Sequence, residues 1–165
     1  MQVRFDESWF LAMSLKVEDV MVEDVVSVPE KATVKEAAGL MEKHEIGCLI
    51  VVKNGKPVGI VTETDMVKRV ILGPVDPENT KVRKIMSRPL VVGNPQMDVD
   101  EASKIMRNRK IKKLPVIENG RLVGLVTTTD IVRSPEVMKM MIKAIKRSII
   151  KEIITSIQQR LDLDE

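Results

Sequence analysis

The chain of 165 residues repeats itself once. Residues 17–67 align with residues 82–132 at a constant offset of 65 and without a gap. Met21 falls on Met86, Val34 on Val99, Ala37 on Ala102, Met41 on Met106, Leu49 on Leu114 and Asn54-Gly55 on Asn119-Gly120, while Gly59-x-x-Thr62-x-Thr64-Asp65 falls on Gly124-x-x-Thr127-x-Thr129-Asp130. A duplicated unit of this size makes two similar halves, and the apolar face that one half exposes can be covered by the other.

Each copy reads alike. A short turn (17–21 in the first copy) leads to an apolar strand, at 24–28 or 90–93, and then to a helix. Thr33 is a natural N-cap with Glu36 at its capping-box position, and Val34, Ala37, Ala38, Met41 and Ile46 recur at helical spacing. In the second copy Asp98 caps a helix whose apolar face carries Val99, Ala102, Ile105 and Met106. Hairpin strands at 47–53 and 56–62 flank Asn54-Gly55, a pair that tolerates the positive φ of a tight turn, and Asn119-Gly120 serves the second copy in the same way. These strands are almost continuously apolar, which predicts burial on both faces, one against the copy's own helices and one against its twin.

The expected fold class is therefore α+β. Its segments are an N-terminal extension (1–16), repeat one (17–72), a polar, Pro-containing linker (73–81), repeat two (82–134) and a long C-terminal helix (135–165). In the extension Phe5, Trp9, Phe10 and Met13 form one apolar helical face. Pro135 suits the first turn of the last helix. Val137, Met141, Ala144, Ile145, Ser148 and Ile149 follow one stripe there, with Lys139, Lys143, Lys146, Arg147 and Lys151 on the polar side. Such a stripe calls for a core or dimer contact, a basic membrane-surface helix being the alternative.

Composition narrows the function. With two Phe, one Trp and no Tyr there is no aromatic platform for stacking bases, and a net charge of +3 from 27 basic and 24 acidic residues is not the basic stripe of a nucleic-acid binder. One cysteine, Cys48, and one histidine, His44, give no disulfide and no zinc ligand set. No apolar run approaches the roughly 18 residues of a membrane span, and no signal peptide is evident, so a cytoplasmic location is expected. No nucleophile motif or metal cluster suggests catalysis, and neither a catalytic residue nor a cofactor is expected.

The residues that invite a function are Thr62, Thr64 and Asp65, with Thr127, Thr129 and Asp130, each set standing where a buried strand runs into a helix. Locally each is a capping box, the Thr hydroxyl accepting from the backbone near the Asp and the carboxylate reaching back. The alternative is a ligand site, since a glycine-containing strand meeting a helix N-terminus offers free donors. In that reading Asp65 and Asp130 accept from neutral ribose hydroxyls, the Thr hydroxyls bridge towards a phosphate, and Lys112 and Lys113 supply positive charge.

The order of these motifs, G-h-h-T-x-T-D closing each repeat, Ile111-Lys-Lys-Leu-Pro-Val116 and Thr33-Val-Lys-Glu-Ala37, resembles a CBS-domain pair over residues 17–132. The resemblance implies tandem β-α-β-β-α repeats forming one pseudo-two-fold Bateman module, with ligand clefts between the repeats and disk-like dimers. By similarity to the kinase gamma subunit of this family, each ligand takes its ribose-binding Asp from one repeat and its adenine-facing backbone from the other. One site then combines Thr127, Thr129 and Asp130 with Val26, Gly47 and Cys48. The other combines Thr62, Thr64 and Asp65 with Val91, Lys112 and Lys113. Repeat one departs from the family pattern with Ile50 where Pro is frequent.

The function this implies is a regulatory module that binds AMP, ADP, ATP or an S-adenosylmethionine-type ligand, forms a homodimer and signals to a partner protein. The competing expectation is an interaction or dimerisation module whose clefts are vestigial. The small Gly47-Cys48 pair predicts that the Asp130 site is the stronger of the two.

Overall fold

A computed structural model describes residues 15–161. The apolar face expected of Phe5, Trp9, Phe10 and Met13 lies outside the described residues. Repeat one comprises a 3-10 turn (Val17–Asp19), β1 (Ser27–Pro29), α1 (Val34–Lys43), β2 (Cys48–Lys53), β3 (Lys56–Thr62) and α2, whose α-helical turn (Glu63–Asp65) continues as a π-helix (Met66–Ile71). Repeat two comprises a 3-10 turn (Val82–Lys84), α3 (Val99–Arg109), β4 (Lys113–Glu118), β5 (Arg121–Thr127) and α4 (Thr128–Arg133), followed by α5 (Pro135–Leu161). The fold class expected from the sequence is the one observed.

The hairpins form as their patterning dictates. β2 and β3 pair antiparallel with Cys48 opposite Thr62, and β4 and β5 pair with Lys113 opposite Thr127. Asn54 and Gly55 turn at φ of 50° and 75°, Asn119 and Gly120 at 49° and 76°, the left-handed pair a tight hairpin requires. β1 adds to β2 in parallel, Val28 opposite Val51, and Ile50 N–H donates to the Val26 carbonyl at 3.2 Å. The corresponding strand expected at 90–93 is reduced to a single bridge between Gly93 and Val116. Pro115 stands where repeat one has Ile50, so the donor that would hold Val91 does not exist.

The helix starts are capped as predicted in repeat one, where Glu36 N–H donates to Thr33 Oγ1 at 3.1 Å and Thr33 N–H to Glu36 Oε2 at 2.6 Å. Asp98 holds the equivalent N-cap position without a side-chain cap bond. Its carboxylate accepts from Lys16 Nζ at 2.7 Å, so the expected cap is replaced by a tie to the segment before repeat one.

That tie belongs to a wider exchange. The opening turn of each repeat packs into the core of the other. Val82, Ile85 and Met86 are buried among Val28, Val34, Ala37, Leu49, Val51 and Val61, whereas Val17 is buried among Val99, Ala102, Met106, Leu114, Val116 and Val126. The backbone follows: Val34 N–H donates to Thr80 O and Val99 N–H to Leu15 O, both at 2.9 Å, supplying orphan donors at two helix starts. Isolated bridges join Val22 to Leu125 and Ser87 to Ile60. The turn expected to open its own repeat therefore completes its neighbour. Each fully buried Val, Ile or Met adds about 1.5–3 kcal/mol, so neither core is complete without its exchanged turn.

α5 begins where Ser134 caps it, Val137 N–H donating to Ser134 Oγ at 3.3 Å. Of its apolar stripe, Val137 is buried, but Met141, Ile145 and Ile149 are each at least half exposed. Beyond its first turns, nothing among the described residues covers this face of the helix.

Candidate functional site

Both Thr-x-Thr-Asp segments form the capping boxes read from the sequence. In repeat one Thr62 N–H and its hydroxyl donate to Asp65 Oδ2 at 2.9 and 2.8 Å, and Asp65 N–H donates back to Thr62 Oγ1 at 3.2 Å. In repeat two the same bonds join Thr127 and Asp130 at 3.0, 2.7 and 3.1 Å. In both, Oδ2 and the first Thr hydroxyl are committed to the helix start, so what distinguishes the two sites is Oδ1.

Oδ1 of Asp65 is taken. Ser87 Oγ donates to it at 3.1 Å, and the Arg69 guanidinium lies 3.4 Å away while donating to the Ile85 carbonyl at 2.5 Å and to Ser87 Oγ at 3.2 Å. Asp65 is consequently buried, although it is charged. At the corresponding places repeat two has Val22 for Ser87 and Ser134 for Arg69. Neither reaches Asp130, which stays half-buried with no hydrogen bond to Oδ1 among the described residues. The same motif thus yields one closed carboxylate and one with acceptor capacity to spare.

Cys48 links the halves. It is buried at the start of β2, and burial pushes its thiol pKa up; Lys113 opposes the rise, and Glu63 and Asp130 add to it. Lys113 and Asp130 belong to the other repeat. The Gly47-Cys48 end of one hairpin therefore shares an electrostatic environment with the Asp130 end of the other. Glu63, which sequence reasoning passed over as the variable position in Thr-x-Thr, covers Gly47: a Cβ built there would lie 2.5 Å from the Glu63 carboxylate. Comparing unequal residues at the 65-residue offset, Glu63 with Thr128, Ser87 with Val22 and Arg69 with Ser134, is the signal that would have found all three.

The remaining predicted residues fall as follows. Thr64, Thr129 and Lys112 are exposed, and Val26, Val91 and Lys113 half-buried. The Val26 carbonyl already accepts from Ile50 and keeps one lone pair for another donor. No hydrogen bond or ion pair joins Asp65 to Val91 or Lys112; besides Thr62, its partners are Ser87 and Arg69 at Oδ1. No group of three or more metal-ligating side chains occurs among the described residues, and no helix there is long and apolar enough to cross a membrane.

Two interlocked α+β repeats, each closing on a capped aspartate, define a duplicated, pseudo-symmetric module. The chain belongs to the CBS domain family, whose model matches it twice, over residues 17–72 and 82–137. It is 36% identical over 115 residues to the CBS domain-containing protein YhcV of Bacillus subtilis, covering 70% of this chain and 81% of that one. An inosine-5'-monophosphate dehydrogenase of Korarchaeum cryptofilum is 37% identical over 117 residues, which are 70% of this chain and only 23% of the enzyme. Among solved structures, the CBS domain pair of protein MJ0100 in complex with 5'-methylthioadenosine and S-adenosyl-L-methionine superposes with a TM-score of 0.65 at 29% identity, covering 73% of this chain and 94% of that one.

Proposed function

We propose that the chain is a non-catalytic regulatory module that binds an adenosyl ligand in the cleft closed by Asp130 and passes its occupancy to a partner protein. The observation that carries this reading is the unused Oδ1 of Asp130, beside a twin whose Oδ1 is sealed. In this reading Asp130 accepts from ribose hydroxyls and Thr129 is available to a phosphate. The small Gly47-Cys48 edge and the Val26 carbonyl face the adenine, and Lys113 offsets negative charge. The MJ0100 pair, which holds two adenosyl compounds, supports the ligand class. For the Asp65 cleft the sealed carboxylate favours the other reading, a vestigial site kept for structure.

The test is a thermal-shift and calorimetry panel of AMP, ATP, S-adenosylmethionine and adenosine. A ligand at 100 times its dissociation constant adds about 2.7 kcal/mol of stability. Asp130→Ala should abolish the shift and Asp65→Ala should leave binding in place. No shift with any of the four, or equal loss of affinity in both variants, would defeat the assignment.

The homodimer also belongs to this proposal. Met138, Met141, Ile145, Ile149, Ile153 and Ile157 are each at least half exposed along α5, a larger contiguous apolar surface than soluble monomers ordinarily leave uncovered.

A further inference from the structure

α5 carries its apolar residues as two successive quartets of the same spacing. Met138, Met141, Ile142 and Ile145 stand at i, i+3, i+4 and i+7, with Ile149 extending them, and Ile150, Ile153, Ile154 and Ile157 repeat the pattern twelve residues on. Twelve residues carry an α-helix about 120° past three whole turns, so the two quartets face different directions. All eight side chains are 41% to 56% exposed. No flat surface covers both quartets at once, which tells against the helix lying along a membrane. Their flanks differ as well. Lys139, Lys146 and Arg147 accompany the first quartet; the second has Thr155, Ser156 and Gln158, with Lys151 and Glu152 offsetting one another. The first quartet is thus the basic, Met/Ile-anchored face that a helix lays into an apolar groove with an acidic edge.

Such a groove lies on repeat one. The end of α1 and the start of α2 frame a cavity of about 530 Å³ floored by Met41, Ile46 and Met66 and edged by Glu42, Glu45 and Glu63. None of these glutamates has an ion-pair partner among the described residues. Val67 also lines the cavity, and Ile71 follows it about one turn along α2; they are 47% and 74% exposed, so apolar surface continues out of the groove. At the positions of the three glutamates repeat two carries Arg107, Lys110 and Thr128. Folding α5 back over the repeat it grows from would therefore set like charges together.

We propose that the first quartet of α5 docks in the acidic groove of repeat one on a second copy of the chain, and that the second copy's α5 returns the contact about a two-fold axis. This rests on the homodimer reading and names the surface that holds it. The 27 residues of α5 span about 40 Å, enough to leave one module and cross to another. Docking covers the floor of the groove and the Met138–Ile145 face together, and it brings Lys139 and Lys146 to the edge formed by Glu42 and Glu45.

The experiment is sedimentation equilibrium of the full chain at low micromolar concentration and about 0.1 M salt, where a screening length of about 10 Å spares charges in close contact. Glu42→Lys with Glu45→Lys reverses the groove, Lys139→Glu with Lys146→Glu reverses the helix, and the fourfold variant exchanges the two. Each double variant should raise the dimer dissociation constant at least about tenfold, since each reversal acts at both contacts of the dimer. The fourfold variant should return to within about threefold of the wild type. Far-ultraviolet circular dichroism of each variant separates lost assembly from lost fold. Folded double variants that dimerise like the wild type would overturn the docking while leaving the homodimer intact. A folded fourfold variant as weak as the double variants would overturn it too. Wild-type chain that floats with phosphatidylserine vesicles, while its dimer ignores both reversals, would assign the stripe to a lipid surface instead. A wild type that is monomeric throughout would sink the homodimer reading and the docking with it.

Discussion

Asp65 and Asp130 occupy the same place in the same motif, and both cap a helix through Oδ2. Their difference comes from residues outside the motif, Ser87 and Arg69, which fill Oδ1 of Asp65 and have no counterpart beside Asp130. Arg69 also grips the Ile85 carbonyl, so the pair fastens α2 to the exchanged turn as well as closing the carboxylate. Giving repeat one the residues of repeat two, Arg69→Ser with Ser87→Val, should therefore open a second site. Calorimetry should show the ligand stoichiometry rise from one to two per chain, at a stability cost of about 1–3 kcal/mol for the lost hydrogen bonds to a buried carboxylate. An unchanged stoichiometry in the folded variant would mean that something other than Oδ1 closes the Asp65 cleft.

Among the elements, the glycine of each G-h-h-T-x-T-D motif is explained by packing. A Cβ on Gly59 would lie 2.7 Å from Met86 Sδ and 3.0 Å from the Ser87 carbonyl, and on Gly124 it would collide with Met21 Sδ and lie 3.2 Å from the Val22 carbonyl. The glycine is thus the seat for the methionine of the exchanged turn, in mirrored fashion in the two halves. Gly124→Ala should cost about 1–3 kcal/mol by overpacking, with Thr127 and Asp130 untouched. Trimming the intruder relieves part of the clash, so Gly124→Ala with Met21→Ala should be less destabilised than the sum of the single changes, by about 0.5–3 kcal/mol in denaturant titration. Additive penalties would indicate that the backbone contact, not the methionine, excludes a side chain.

For the whole molecule, the sequence repeat and the folding unit do not coincide. Core one needs Val82, Ile85 and Met86 from beyond the linker, and core two needs Val17 from the opening turn of repeat one. Fragments 1–72 and 73–165, made separately, should each lack native far-ultraviolet circular dichroism and cooperative unfolding. Mixed in equal amounts they should recover both, since each then supplies the other's turn. A fragment that unfolds cooperatively on its own would show that the exchanged turn is dispensable.

The offset of 65 residues, the alternation and the turn pairs were enough to read from the chain its α+β class, its hairpins, its capped helix starts and the two aspartates, because each of these depends on residues a few positions apart. Asp98 and 90–93 went differently from that reading because a lysine 82 residues away and a missing N–H at Pro115 decided them. The exchange of opening turns could not be read from repeat alignment, since an alignment pairs Met21 with Met86 and is silent about which half each one packs into. The same holds for the site. The motif presents two like carboxylates and the sequence ranks the Asp130 site higher only through Gly47-Cys48, whereas the sealing of Asp65 Oδ1 by Ser87 and Arg69 across the exchanged turn is visible only in space. Local chemistry was legible in the chain itself, whereas partner choice depends on distance in space, which only the tertiary structure supplies.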